Sequence, residues 1–165
     1  MNSDFKELLS LFNAYNVRYL IVGGVAFIFH AEPRYTKDLD LWISVDLQNA
    51  EAVYSSLRKF GAPLAGISVE DFSKPELVYQ MGRPPNRVDI LMSIAGIDFD
   101  AAWGRRVETE IDGIQVWFLS KEDLLVNKQS VGRPQDLLDV QTLLLPTRSP
   151  EEFQSGSRAK DELDR

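Results

Sequence analysis

The β-rich run Arg18 to Val22 stops at Gly23-Gly24, and a second apolar stretch, Val25 to His30, follows with helical rather than alternating character. A strand, a glycine turn and a helix in immediate succession point to a layered fold in which sheet and helix share a core. The flanking sequence continues the pattern. Phe5, Leu8, Leu9 and Phe12 recur at helical spacing after a Ser3 cap, and Leu39 to Ser44 is predicted as the next strand. Asp46 caps a predicted helix from Leu47 to Phe60 that Gly61 ends. Two further strands, Leu77 to Met81 and Arg87 to Met92, flank the turn Arg83-Pro84-Pro85-Asn86.

Beyond a short helical piece near Phe99 to Trp103, strands Val107 to Ile111 and Ile114 to Phe118 surround Asp112-Gly113, a two-residue hairpin signal. Ser120 and Asp123 form a capping-box pattern opening a helix through about Gln129. Pro134 suits the first turn of a last helix, through about Leu145, which Pro146 stops. The expected fold class is α/β (α+β): a mixed β-sheet flanked by helices, with a short C-terminal helical segment. At 165 residues and 44% hydrophobic content the chain has the core of one domain. That domain is expected over 1–146, with the polar, charged residues 147–165 as a disordered tail.

Composition narrows the chemistry. No cysteine is present, which excludes disulfides and thiolate-held zinc, and the single histidine argues against a His-rich zinc site. Carboxylates are what remains. The start, MNSDFKELL, lacks the basic and apolar regions of a leader, and no stretch approaches the roughly 18 apolar residues of a membrane span, so a cytoplasmic protein without membrane contact is expected. The formal charge of −7 disfavours nucleic acid as a partner at long range without excluding a local basic patch.

Thr36-Lys37-Asp38-Leu39-Asp40-Leu41 places two acids at i and i+2. On a strand this aims both carboxylates to one side, about 6 to 7 Å apart at Cα. A solvated strand face would explain a lone D-x-D, as would a pair of ligands for Mg²⁺. Arg87-Val88-Asp89-Ile90-Leu91 adds a single acid inside an apolar strand, where an unpaired carboxylate would cost several kcal/mol. A metal or Arg87, two residues earlier, would partner it. Gly23-Gly24, at a strand-to-helix junction, frees backbone N–H groups to approach a phosphate. Trp42, Trp103 and Trp117 lie in apolar patterns and are expected in packing; His30, at a helix end, is expected to pack or cap.

Taken together, Gly23-Gly24, Thr36-Lys37-Asp38-Leu39-Asp40-Leu41 and Val88-Asp89-Ile90 resemble the polymerase-β nucleotidyltransferase superfamily over roughly residues 18 to 140. With Arg34, Thr36, Lys128, Arg133, Asp136 and Asp139, the pattern is similar to bacterial abortive-infection and toxin-type minimal nucleotidyltransferases. The resemblance implies that Asp38, Asp40 and Asp89 are catalytic and hold two Mg²⁺ ions. It implies nucleotide binding by Gly23, Gly24, Thr36, Lys128 and Arg133, with Lys128 or Arg133 reaching the outer phosphates. Arg34, Asp136 and Asp139 would support them, the two acids sharing one helix face to orient Arg133 or Lys128. Most members of the superfamily have serine where this chain has Gly24, so phosphate contacts there would come from the backbone.

The implied activity is metal-dependent transfer of a nucleoside monophosphate from a nucleoside triphosphate to a hydroxyl of a small molecule, a protein or a transfer RNA. Toxin-type relatives also leave room for a cognate protein partner. A nucleotide-binding or interaction module of the same fold without turnover is the alternative, and a structural cation site a third reading.

Overall fold

The computed structural model describes residues 1–36 and 38–146 of the chain. Helix α1 (Ser3–Ala14) leads into β1 (Tyr19–Val22), and α2 (Gly23–His30) follows without an intervening turn. Then come β2 (Asp38–Ile43), α3 (Leu47–Phe60), β3 (Val78–Met81), β4 (Arg87–Leu91) and α4 (Phe99–Gly104). The hairpin β5 (Val107–Ile111) and β6 (Ile114–Phe118) precedes α5 (Lys121–Val131) and α6 (Pro134–Leu143). The mixed α+β architecture expected from the order of patterns is the one observed. The expected tail at 147–165 lies outside the described residues.

Most boundaries follow from side-chain chemistry visible in the sequence. Asp46 accepts from the Asn49 N–H at the start of α3, and Gly61 closes it in the left-handed region at φ 89°. At the β5–β6 turn both Asp112 (φ 51°) and Gly113 (φ 83°) have positive φ, as the favoured two-residue hairpin requires. Four details differ from expectation, the first being that Gly23 and Gly24 open α2 itself instead of forming a separate turn. The cap of α1 is Asn2, one residue before Ser3, because its side chain reaches the Phe5 N–H. Ser120 caps α5 through the Asp123 N–H, but the Asp123 carboxylate turns to Arg105 in a two-point ion pair and does not complete a box. A 3₁₀ turn at Val69–Ser73, capped by Ser68 with Asp71, had no periodic signal to announce it.

The six strands form one sheet in the order β3-β4-β2-β1-β6-β5. β2 is antiparallel to β1 and parallel to β4, and β1 is parallel to β6. Helix α2 packs on β1 and β2 and against α5 and α6, while α1 packs on α3 and β6. Leu39 and Leu41 of β2 have no exposed surface. Each contributes about 1.5–3 kcal/mol of burial, which fixes the strand's facing and leaves Asp38 and Asp40 on the opposite side. Trp42 meets Phe99 edge-on at 5.0 Å, and Trp103 and Trp117 lie 6.1 Å apart, so all three tryptophans serve packing. His30 Nε2 lies 2.7 Å from the Leu119 carbonyl oxygen, tying α2 to the end of β6. Among the described residues no helix is long and apolar enough to cross a membrane.

Candidate active site

The parallel pairing of β2 with β4 sets Asp40 directly across from Asp89 and Asp38 across from Arg87. One carboxylate oxygen from each of Asp38, Asp40 and Asp89 lies within 4.8 Å of the others. Burial pushes the Asp40 carboxyl up to about 7, and the neighbouring charges of Asp89 and Asp38 push in the same direction. A folded chain gathers three acids this closely only with something to neutralise them. Arg87 supplies part of that. Its Nε and Nη2 each donate to one Asp89 oxygen at 3.0 Å, and its Nε is 3.7 Å from Asp38 Oδ1. Of the two partners considered for Asp89 from sequence, the arginine is the one the structure places on its carboxylate, within the cluster of acids.

The glycines touch this cluster. Gly23 opens α2 at φ +64°, and a Cβ there would meet Asp40 Oδ2 at 2.1 Å. A Cβ on Gly24 would lie 2.6 Å from Thr36 Oγ1 and 3.6 Å from Arg34 Nη2. Any side chain at either position would displace groups of the site, which is the physical reason for two glycines in succession here. Among the described residues no side chain caps α2, so the N–H groups of its first turn are uncommitted within the helix and carry its partial positive charge. Thr36 turns its hydroxyl to the Asp38 carbonyl at 3.4 Å.

The remaining expected residues form a second, buried network. Asp139, only 2% exposed, accepts from Lys128 Nζ at 2.6 Å, Arg34 Nη1 at 2.5 Å and Gln135 Nε2 at 2.9 Å. Asp136 accepts from Arg133 Nε at 2.7 Å and lies 3.6 Å from Lys128 Nζ. Burial alone would raise the Asp136 carboxyl, but hydrogen bonding and charge from Arg133, with the Lys128 charge, hold it below the ordinary range. Phe27 of α2 underlies the network, with the Arg34 guanidinium 4.5 Å and the Lys128 ammonium 5.7 Å from its ring centre. Lys128, expected from the resemblance to reach the outer phosphates, is 5% exposed here and engaged by two carboxylates where α5 and α6 pack together. Arg133 remains 75% exposed along its side chain, and its charge bears on Asp40.

Sequence reasoning left two residues out of the site. Arg87 was visible only as a local partner for Asp89; its approach to Asp38 depends on the β2–β4 register, which no local pattern gives. Gln135 carried no signal at all.

The donor set suits a hard divalent cation. Its ligating atoms are all carboxylate oxygens, and Asp38 Oδ1 is buried without a hydrogen-bond partner among the described residues. Asp38 and Asp40 can hold such an ion, and Asp89 can join them where Arg87 yields.

Among solved structures, the chain is similar to the lincosamide antibiotic adenylyltransferase LnuA in its lincomycin-bound form, at 15% identity and a TM-score of 0.51. That match covers 87% of this chain and 96% of LnuA. An antigenic nucleotidyltransferase-like protein from Paracoccidioides brasiliensis is similar at 18% identity and a TM-score of 0.50, over 94% of this chain and 84% of that one. At these identities the likeness is one of fold. No curated protein sequence matches the chain. The family described as "Nucleotidyltransferase of unknown function (DUF6036)" matches residues 2–148. With that match spanning nearly all the described residues, the chain belongs to this nucleotidyltransferase family.

Proposed function

We propose that this nucleotidyltransferase moves a nucleoside monophosphate from a nucleoside triphosphate to an acceptor hydroxyl, with Mg²⁺ held by Asp38, Asp40 and Asp89. The observation that carries the reading is three carboxylate oxygens within 4.8 Å, next to the glycine-opened end of α2. Two Mg²⁺ ions at this cluster would neutralise the triphosphate and make the acceptor oxygen a better nucleophile. The N–H groups of Gly23 and Gly24 then face the phosphates, and Arg133 is the exposed cation for the outer ones. The acceptor oxygen forms a bond to the α-phosphorus, the bond to the bridging oxygen breaks, and pyrophosphate leaves. Asp89 is the carboxylate assigned to the hydroxyl proton. Thr36, Arg34, Lys128, Asp136 and Asp139 act by position: they hold the segment after α2 against α5 and α6, so the chain contributes mainly orientation and charge.

LnuA adenylylates a lincosamide, and the present chain spans nearly its whole length. That supports ATP as the donor and a small hydroxylated molecule as the acceptor, ahead of a protein side chain or a transfer RNA end. The motif resemblance to abortive-infection and toxin-type enzymes supports a place in a toxin–antitoxin pair in the cytoplasm, with a protein partner.

Calorimetric titration of the four nucleoside triphosphates with Mg²⁺ into wild type and Asp38→Ala/Asp40→Ala tests the site. Wild type should bind one triphosphate preferentially and only with Mg²⁺, and the double variant should lose at least about tenfold in affinity. Equal binding by both proteins would remove the acids from the site, and no binding by wild type would favour the interaction-module reading.

Gly23→Ala gives an independent check. The added methyl must push Asp40 out of the cluster and sit in a left-handed backbone, so Mg²⁺-dependent nucleotide affinity should fall about tenfold to a hundredfold. The same titration, with circular dichroism to confirm the fold, measures it; undiminished affinity would mean that nucleotide does not use this end of α2.

A further inference from the structure

Arg87 stands within the acid cluster. It binds Asp89 by two hydrogen bonds of 3.0 Å and approaches Asp38 Oδ1 at 3.7 Å. Both Asp89 oxygens are therefore engaged by a cation of the chain itself, whereas among the described residues Asp38 Oδ1 has no hydrogen-bond partner. Among the described residues, no hydrogen bond holds the Asp40 carboxylate.

A strut that merely oriented Asp89 would be expected to come from another element and to be buried. Arg87 is neither. It lies two residues before Asp89 on the same strand, so their bond adds no tertiary link. Its side chain keeps 35% exposure, and among the described residues all its side-chain hydrogen bonds go to Asp89. It is also the first residue of β4, beside the turn at 83–86. Rotation about its own stem can carry the guanidinium into solvent while the sheet stays intact.

We propose that Arg87 is a positioning residue that serves as the resident counter-ion of the acid cluster. It neutralises Asp89 and Asp38 while no metal is bound, and it withdraws from Asp89 when a divalent cation enters. Because a positive charge this close opposes a second one, Arg87 sets the metal affinity of the site below what the three acids would give alone. This inference rests on the reading of the cluster as a metal site.

The test is titration of the full-length protein with Mn²⁺ at pH 8 without nucleotide, followed by electron paramagnetic resonance, for wild type, Arg87→Met, Arg87→Gln and Arg87→Lys. Thermal unfolding in chelator accompanies it. Both neutral variants should bind Mn²⁺ about tenfold more tightly than wild type and melt lower in chelator, while Arg87→Lys returns the affinity towards wild type. A structural strut would behave in the opposite way, since its removal would loosen Asp89 and weaken Mn²⁺ binding. Should Arg87→Met fail to fold, Arg87→Gln, which keeps a hydrogen-bond donor, carries the comparison. Unchanged or weaker binding by the neutral variants overturns the proposal, as does a lysine variant that binds as tightly as they do. Absence of Mn²⁺ binding by wild type and all variants overturns the metal reading as well, whereas binding without a gain overturns this inference alone.

Discussion

Asp40→Asn is expected to lower pyrophosphate release by at least about 10³-fold and, in chelator, to make the protein more stable by about 1–3 kcal/mol at pH 8. The two effects have one origin. In the folded chain the Asp40 carboxyl rises from 3.8 to about 7 because burial, then Asp89 and Asp38, oppose its charge. The folded state therefore binds the proton more tightly than the unfolded one. Its contribution to stability is fully present below pH 3.8 and is lost as pH rises through about 7. At pH 8 the wild type holds a charge that its surroundings disfavour, and asparagine does not. At pH 5 the folded wild type already carries a neutral Asp40, and the two proteins should differ much less. Urea unfolding in chelator at both pH values measures the gap. A difference that does not widen from pH 5 to pH 8 would mean that Asp40 is not the strained group. Added Mg²⁺ should reverse the order, since the carboxylate is then the form that the site needs.

Asp139→Ala is expected to destabilise the protein by about 3–5 kcal/mol, a large share of the 5–15 kcal/mol typical of a domain. The carboxylate receives Lys128, Arg34 and Gln135. Its removal leaves the Lys128 ammonium buried with Asp136, 3.6 Å away, as its remaining acid among the described residues. Lys128→Met should cost less, because Asp139 keeps Arg34 and Gln135, and the double variant should cost less than the sum of the two singles. Urea denaturation of the four proteins provides the cycle. Additive losses would show that the lysine and the aspartate do not depend on each other.

What could be read from sequence was local. Asp46 and Gly61 marked the ends of α3, Asp112-Gly113 the hairpin, and the alternation of Asp38, Leu39, Asp40 and Leu41 the facing of β2. Each is decided within a few residues of chain, and each could be read without knowing the fold. The burial of Lys128 had no local signal, because its helix shows no apolar face sharp enough to separate inside from outside, and its partners on α6 arrive later in the chain. The approach of Arg87 to Asp38 depends on two strands that are not neighbours in sequence. The family pattern supplied the acids and the glycines, but not the arginine among them.

The bond between Arg34 and Asp139 joins residues 105 positions apart, the second of them in the last described helix. Synthesis from the N-terminus therefore makes the glycines and all three clustered acids well before the residue that moors the segment leading into β2. Until α6 emerges, Arg34 and Lys128 lack their shared counter-ion, and the half-made chain presents an unanchored site. Folding of this protein should thus finish at the site rather than begin there, and a nascent chain that stops short of α6 should have the acids of the enzyme without their fixed arrangement.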